Sequence, residues 1–292
     1  MPISIRQIVP SFAAEVSGVD LTRPLGADEV AAIEAGMDRH AVLVFHGQAL
    51  TDDQQRAFTR NFGVLEQAPG GHVAKAHERR LPLDMQDASN LDKEQRVFGR
   101  DDRRRMFNLG NRLWHSDSSY RAVPAKYSLL SGRIVVDRGG HTEFADMRGA
   151  YDALDAATKA EVEDLVCEHS LMFSRGVLGF EIAEDERAMF RPVRQRLVRV
   201  HPVSGRKSLF LSAHAGNIVG WPIPEARAFL RDLMEHATQP QFVYSHKWRQ
   251  YDLVIWDNRQ TMHRVTRFDE TQVRDMRRTT VAGDAMTVAQ AA

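Results

Sequence analysis

The chain has 292 residues, of which 43% are hydrophobic, 8% aromatic and 27% charged, proportions ordinary for a globular protein that buries a sizeable core. Lys+Arg and Asp+Glu balance at 39 each, and a formal charge of zero argues against a dedicated nucleic-acid or membrane-surface binder, which carries a basic excess. A single cysteine, Cys167, excludes an intrachain disulfide and any cysteine-rich metal site, and no run approaches the ~18 apolar residues of a membrane span.

The opening MPISIRQIVP lacks the basic-then-apolar order of a secretory signal, so a cytoplasmic protein is expected. The segment Gly26–His40 reads as a helix with Val30, Ile33 and Met37 on one face, running into a strand at Ala41–Phe45. A second helix is expected from Thr51, where T-D-D-Q is a capping-box pattern, and Gly63 is a natural stop. Residues 64–112 hold no long regular element, only the turn signal Gly70–Gly71 and the charge cluster Arg100–Arg105. Such a stretch inside a compact domain is usually a functional lid or disordered, and a lid that moves when substrate is absent is the expectation.

From Lys126 onward short β-rich runs follow one another: KYSLLSGRI, RLVRV, KSLFLS, QFVYSH and DLVIWD. Two helical inserts interrupt them, one at 147–167, broken near Leu154, and one at 224–237. Cys167 falls at the end of the first, in an apparent helix over 161–167, where a buried inert thiol is expected. The pattern is mainly β with flanking helices, a barrel or sandwich rather than a doubly wound sheet. With no repeat, low-complexity tract or clear linker, a single domain over 1–292 is the simpler reading.

Twelve histidines are present, and a lone histidine is usually a surface or core residue. In LWHSDSSY, however, His115 and Asp117 are two apart, so an extended chain turns both to one face. A histidine and a carboxylate so placed can occupy adjacent positions on one metal. One more imidazole completes a two-histidine, one-carboxylate facial triad with open positions, the arrangement of iron(II) oxygenases. Alone, H-x-D is a weak signal.

The second region, DLVIWDNRQTMHRVTRFDETQVRDMRRTT, strengthens it: an apolar strand and a polar turn lead to His263, then to Arg274 and Arg278. If this tail is a strand, the two arginines share a face about 13 Å apart, at roughly 3.3 Å per residue. One can then hold a carboxylate near the metal and the other a different anion, since the guanidinium fork suits bidentate pairing. A solvated basic strand face is the plain alternative.

These segments resemble the TauD/TfdA group of 2-oxoglutarate-dependent dioxygenases, from GVDLTRPL near the start to RRTT near the end. The pieces LWHSDSS, GGHTEFADMRGAYDAL, HPVSGRKSLF and WDNRQTMHR carry the resemblance, and WHSDSS with TEFADMR is most similar to the 2,4-dichlorophenoxyacetate dioxygenases of that group. The resemblance implies a double-stranded β-helix (jelly-roll) core and iron ligated by His115, Asp117 and His263. It implies that the Thr142 hydroxyl contacts 2-oxoglutarate, that Arg274 pairs with its distal carboxylate, and that Trp256 helps wall the site. Arg278 matches the arginine nearer the substrate's acidic group. Asn111 and the backbone of Ser118 match substrate-side positions, and either Lys75 or His72 fills a further one. His201 matches a histidine near the pocket, although its H-P-x-x-G context is equally a turn signal.

One departure is visible, His141 standing where the group usually has an acidic residue beside the co-substrate threonine. The implied reaction consumes 2-oxoglutarate and O₂ with Fe(II), releasing succinate and CO₂ and hydroxylating a small anionic aryloxy acid. An aryloxyacetate then yields a phenol and glyoxylate. A sulfonate, a sulfate ester or another aryloxyalkanoate is the alternative substrate, since guanidinium pairs with any of these anions. No nucleic-acid or membrane partner is expected, and relatives are commonly homo-oligomers. A non-catalytic anion-binding β-barrel would need no metal triad, and structural zinc prefers four closed ligands.

Overall fold

The structure is a computed structural model that describes residues 3–67 and 76–290. Val42-Leu43-Val44-Phe45 is apolar throughout because it forms a strand buried on both faces. Side chains alternate along a strand, so Val42 and Val44 enter one core while Leu43 and Phe45 enter another. The strand Leu253–Asp257 repeats the device, with Val254 and Trp256 on the first side and Leu253 and Ile255 on the second.

Both strands belong to a seven-stranded sheet ordered Ser4–Gln7, Ala14–Ser17, Val42–Phe45, Leu253–Asp257, Tyr127–Ile134, Asp275–Thr280 and Gln86–Asp87. Every neighbouring pair is antiparallel except Ala14–Ser17 with Val42–Phe45. Its outer core packs against the helices Ala27–His40, through Ile33 and Met37, and Asp52–Arg60, through Phe58. Its inner core includes Phe144 from a three-stranded sheet made of Val243–His246, Thr142–Asp146 and Thr261–Val265. The far side of that smaller sheet presents Ala145 and Met262 to the helices Met147–Asp152 and Ile223–Ala237. Helices therefore flank two facing sheets in which antiparallel pairing predominates, unlike a doubly wound sheet.

Local chemistry sets several boundaries. Thr51 caps its helix reciprocally, its Oγ1 accepting from the Gln54 N–H at 3.2 Å while Gln54 Oε1 accepts from the Thr51 N–H at 2.8 Å. The first helix ends where Ala41 adopts φ 59°, so its following strand begins at Val42. The 147–167 stretch breaks near Leu154 into Met147–Asp152 and Ala156–Val162, the second capped by Asp155. Its expected helical end is a strand instead: Cys167 lies in Val166–His169, between Val193–Arg196 and Ala215–Ile218. Exposure there alternates with period two, and pairing on both edges overrides the helical continuation. Between residues 76 and 112 the described elements are short, the longest being the six-residue helix Arg103–Asn108, capped by Asp102. Among the described residues no helix is long and apolar enough to cross a membrane.

Ile255→Ala should destabilise the protein by about 2–5 kcal/mol, as expected for a buried cavity, and urea unfolding checks this; a loss below about 1 kcal/mol would contradict the packing described. Burial pushes the Cys167 thiol up to about 12. The native protein should therefore resist thiol reagents at pH 8 and react only once unfolded, and prompt native labelling would contradict this.

Candidate metal centre

His263 lies on Thr261–Val265, which pairs with Thr142–Asp146 in the smaller sheet. His115 joins it through a two-way backbone pairing, N–H to carbonyl at 3.0 Å and 2.8 Å. Residues paired in this way share a face, and the two imidazole centroids stand 4.2 Å apart. The extended run then gives way to a turn containing Ser118 at φ 54°. That turn brings the Asp117 carboxylate to 3.8 Å from His115 Nε2 and 3.6 Å from His263 Nε2. The three ligand atoms all lie within 4.8 Å of one another, and the three residues are buried.

Protonation suits metal binding. The Nδ1 of His115 donates to the Leu113 carbonyl at 2.7 Å, leaving the Nε2 lone pair toward the shared point. Burial lowers the pKa of both imidazoles, that of His263 well below the ordinary value. Burial alone would raise the Asp117 carboxyl, but the Arg278 guanidinium, then His263 and His115, outweigh it and hold it at about 2. Two neutral imidazoles and a carboxylate, aimed at one buried point, fit a divalent transition metal that keeps open positions. Among the described residues, the cluster that could hold a metal has three members, one short of a closed structural zinc site.

The large sheet holds Asp117 in place. Ser128, from Tyr127–Ile134, donates to its Oδ2 at 2.7 Å. Asn258, in the turn after Leu253–Asp257, accepts from the Asp117 N–H at 3.0 Å and donates to Ser128 Oγ at 2.9 Å. Trp256 Nε1 donates to the same Asn258 oxygen at 3.0 Å, while its ring centroid lies 4.6 Å from that of His263.

Arg274 is buried, and its guanidinium donates to the carbonyls of Ala88 at 3.2 Å and Gly140 at 3.4 Å. Among the described residues no carboxylate pairs with it, and burial lowers its pKa to about 10. A cavity of about 210 Å³ opens beside it, lined in part by Gly140, His141 and Trp248. Trp248 Nε1 donates to the Thr142 hydroxyl at 3.0 Å. Gly140 has φ 64°, and a Cβ there would approach Arg274 Nε to 3.4 Å. His141 anchors its loop through its backbone, to Thr266 Oγ1 at 3.0 Å and the Thr266 N–H at 2.9 Å, so anchoring does not depend on the residue type there.

Arg274 and Arg278 do share a side of the terminal strand, with Met276 entering the inner core between them. Arg277 takes the opposite side and pairs with Asp52. Arg278 meets Asp117 at 2.5 Å and also contacts Gln86. Asn111 occupies the short turn Leu109–Arg112 leading into His115, and Ser118 donates to Glu66 at 2.6 Å. Lys75 and His72 lie outside the described residues. His201 is not brought to the triad: it accepts from the Ser204 N–H at 3.2 Å and stands 3.3 Å from Asp257, so its contacts fit the turn-anchor reading.

His214, Ser174 and Arg175 also gather near His115. The His214 ring lies 5.9 Å from that of His115 and 5.1 Å from that of Tyr120, and its Nδ1 is 3.0 Å from Ser174 Oγ. Arg175 bonds the same serine. No spacing in the sequence links these positions, which only the folded chain brings together.

The model of the family described as "Taurine catabolism dioxygenase TauD, TfdA family" matches residues 4–280. The chain is 46% identical to the alpha-ketoglutarate-dependent 2,4-dichlorophenoxyacetate dioxygenase of Cupriavidus pinatubonensis, over 98% of this chain and 100% of that one. It is 39% identical to the (S)-phenoxypropionate/alpha-ketoglutarate-dioxygenase of Sphingobium herbicidovorans, over 94% and 93%. Among solved structures, that of AAD-2 in complex with Mn(II) and N-oxalylglycine superposes with a TM-score of 0.96 at 60% identity, over 99% of this chain and 100% of that one.

Removing the Asn258 side chain should loosen Asp117. Asn258→Ala is expected to weaken Fe(II) or Co(II) binding by about 10- to 100-fold, the usual effect of losing a group that orients a ligand. Anaerobic metal titration measures it, and an unchanged affinity would refute the anchoring role.

Proposed function

The chain belongs to the TauD/TfdA family of dioxygenases, and from that premise we propose that it hydroxylates the methylene carbon of an aryloxyacetate such as 2,4-dichlorophenoxyacetate. It is an alpha-ketoglutarate-dependent dioxygenase that works with Fe(II), 2-oxoglutarate and O₂. One observation carries the site assignment: a buried triad of neutral imidazoles and carboxylate shares its neighbourhood with a buried arginine that no carboxylate among the described residues neutralises.

In this reading His115, Asp117 and His263 hold the iron, and Arg274 with the Thr142 hydroxyl binds 2-oxoglutarate. N-oxalylglycine, the compound bound by AAD-2, carries an oxalyl group and a second carboxylate, the same pattern as 2-oxoglutarate. Iron(II) with 2-oxoglutarate and O₂ supplies oxidative decarboxylation to succinate and CO₂, coupled to insertion of one oxygen atom into a C–H bond. The hydroxylated methylene is a hemiacetal, which collapses to the phenol and glyoxylate.

The protein's part is positioning and exclusion of water. Trp256 walls the His263 side with its indole, and Leu113 holds the His115 proton at Nδ1. Arg278 stands against Asp117 on the side assigned to the substrate's acidic group, with Asn111 and Ser118 nearby in sequence. Residues 64–112 serve as the cover of the site, a role supported by Glu66 on Ser118 and Gln86 on Arg278. The same reading takes the chain as one cytoplasmic, homo-oligomeric domain, its two facing sheets forming a double-stranded β-helix.

Succinate release with Fe(II), ascorbate and a panel of aryloxyalkanoates, alkyl sulfonates and sulfate esters tests the substrate class. Aryloxyacetates should drive succinate and phenol formation together, and no turnover on any of them would remove this reading. His115→Ala should bring iron-dependent turnover to background; retained activity would refute the triad.

A further inference from the structure

Arg175 lies on the seven-residue helix Leu171–Val177 and is 5% exposed. Its Nη1 donates to Ser174 Oγ at 3.0 Å, its guanidinium carbon stands 4.2 Å from the Phe107 ring centroid, and its Nε is buried without a hydrogen-bond partner. Room for it depends on Gly110, where a Cβ would fall 2.1 Å from Nη1. Ser174 also meets His214, whose ring neighbours those of His115 and Tyr120, so this cation stands beside the triad.

Elsewhere among the described residues, Arg148 is neutralised by Asp146, Arg259 by Asp257, and Arg80 by Asp87 and Asp275, while Arg199, stacked on Phe210 with its Nη1 unpartnered, still feels the charges of Asp257 and Asp284. A buried charge left without a counter-ion is costly, and stacking on one aromatic ring offsets only part of that cost. Arg274 departs from the pattern, and it is the arginine assigned to a carboxylate of the co-substrate. Arg175 departs in the same way, with no acidic partner among the described residues. Arg278, by contrast, already meets Asp117 and Gln86.

We infer that Arg175 pairs with the carboxylate of the aryloxyalkanoate substrate and is a specificity residue additional to Arg278. The inference rests on the aryloxyalkanoate reading. An arriving carboxylate gives the unfilled Nε a charge-assisted bond and gives the buried cation its counter-ion. Ser174 and Phe107 fix the guanidinium plane beforehand, so little ordering is left to the moment of binding.

The test compares the wild-type enzyme with Arg175→Gln, Arg175→Lys and Gly110→Ala, using phenoxyacetate and its neutral amide. Arg175→Gln should raise the phenoxyacetate KM by about 30-fold or more, as for loss of a buried charge's partner, and leave the 2-oxoglutarate KM within about twofold. It should also erase the preference for acid over amide, and equilibrium dialysis of phenoxyacetate against anaerobic protein should show the same loss of affinity. Arg175→Lys should recover part of the loss. Gly110→Ala should act in the same direction as Arg175→Gln, because the added methyl displaces the guanidinium. A folded Arg175→Gln protein with wild-type KM and acid preference would overturn the inference, as would Gly110→Ala with unchanged KM and affinity. If the wild type turns over no aryloxyalkanoate, the substrate reading itself falls. Wild-type turnover with these variants unaffected removes only the role of Arg175.

Discussion

The buried charge of Asp117 is the constraint around which the rest of the site is arranged. A carboxylate withdrawn from water is tolerated only if its oxygens and its counter-charge are provided for. Here Ser128, from the large sheet, donates to one carboxylate oxygen, and Arg278, from the terminal strand, supplies the counter-charge. Asn258, from the turn after the central strand, fixes the Asp117 N–H and orients Ser128, while the His115–His263 pairing sets the two imidazoles alongside. Elements distant in sequence must converge before the charge can be accommodated. Once they do, the same contacts fix where a metal sits. Stability and metal binding thus draw on one set of hydrogen bonds, and Trp256 links that set to the hydrophobic core through Asn258.

Strand alternation distributes the cations. Along Asp275–Thr280, Arg277 turns outward to Asp52 and Asp275, whereas Met276 and Arg278 turn inward. A shift of one residue would exchange these faces, placing Arg277 at the metal and exposing Met276 to the helices. Register is held by the ladder to Tyr127–Ile134, with an irregularity between Asp275 and Met276. Period-two geometry therefore decides which arginine serves chemistry and which serves packing, although the two neighbours are chemically identical.

Features governed by local chemistry were legible in the sequence. The Thr51 cap, the break near Leu154 and the apolar strands follow from side chains within a few residues of one another. The triad was legible because His115 and Asp117 are close in sequence and His263 follows a recognisable strand and turn. Features decided by distant partners were not. Cys167 is a strand residue because two other strands claim its edges. His201 resembles a pocket histidine but turns to Asp257 and Ser204. His214 and Arg175 lack any local signature, since only burial beside His115 distinguishes them from the other histidines and arginines.

The irregular segment ahead of His115 gains a physical explanation from the same contacts. Glu66 reaches Ser118, Gln86 reaches Arg278, and Phe107 stacks on Arg175. Each contact supplies a polar or aromatic partner to a group that flanks the triad, which a helix or strand could not do from three separated directions. Arg103 and Arg112 pair the end of the segment with Glu186 and Glu270. Irregular backbone here is the form that lets one stretch of chain meet several faces of a buried charged site, with its own ends tied down by ion pairs.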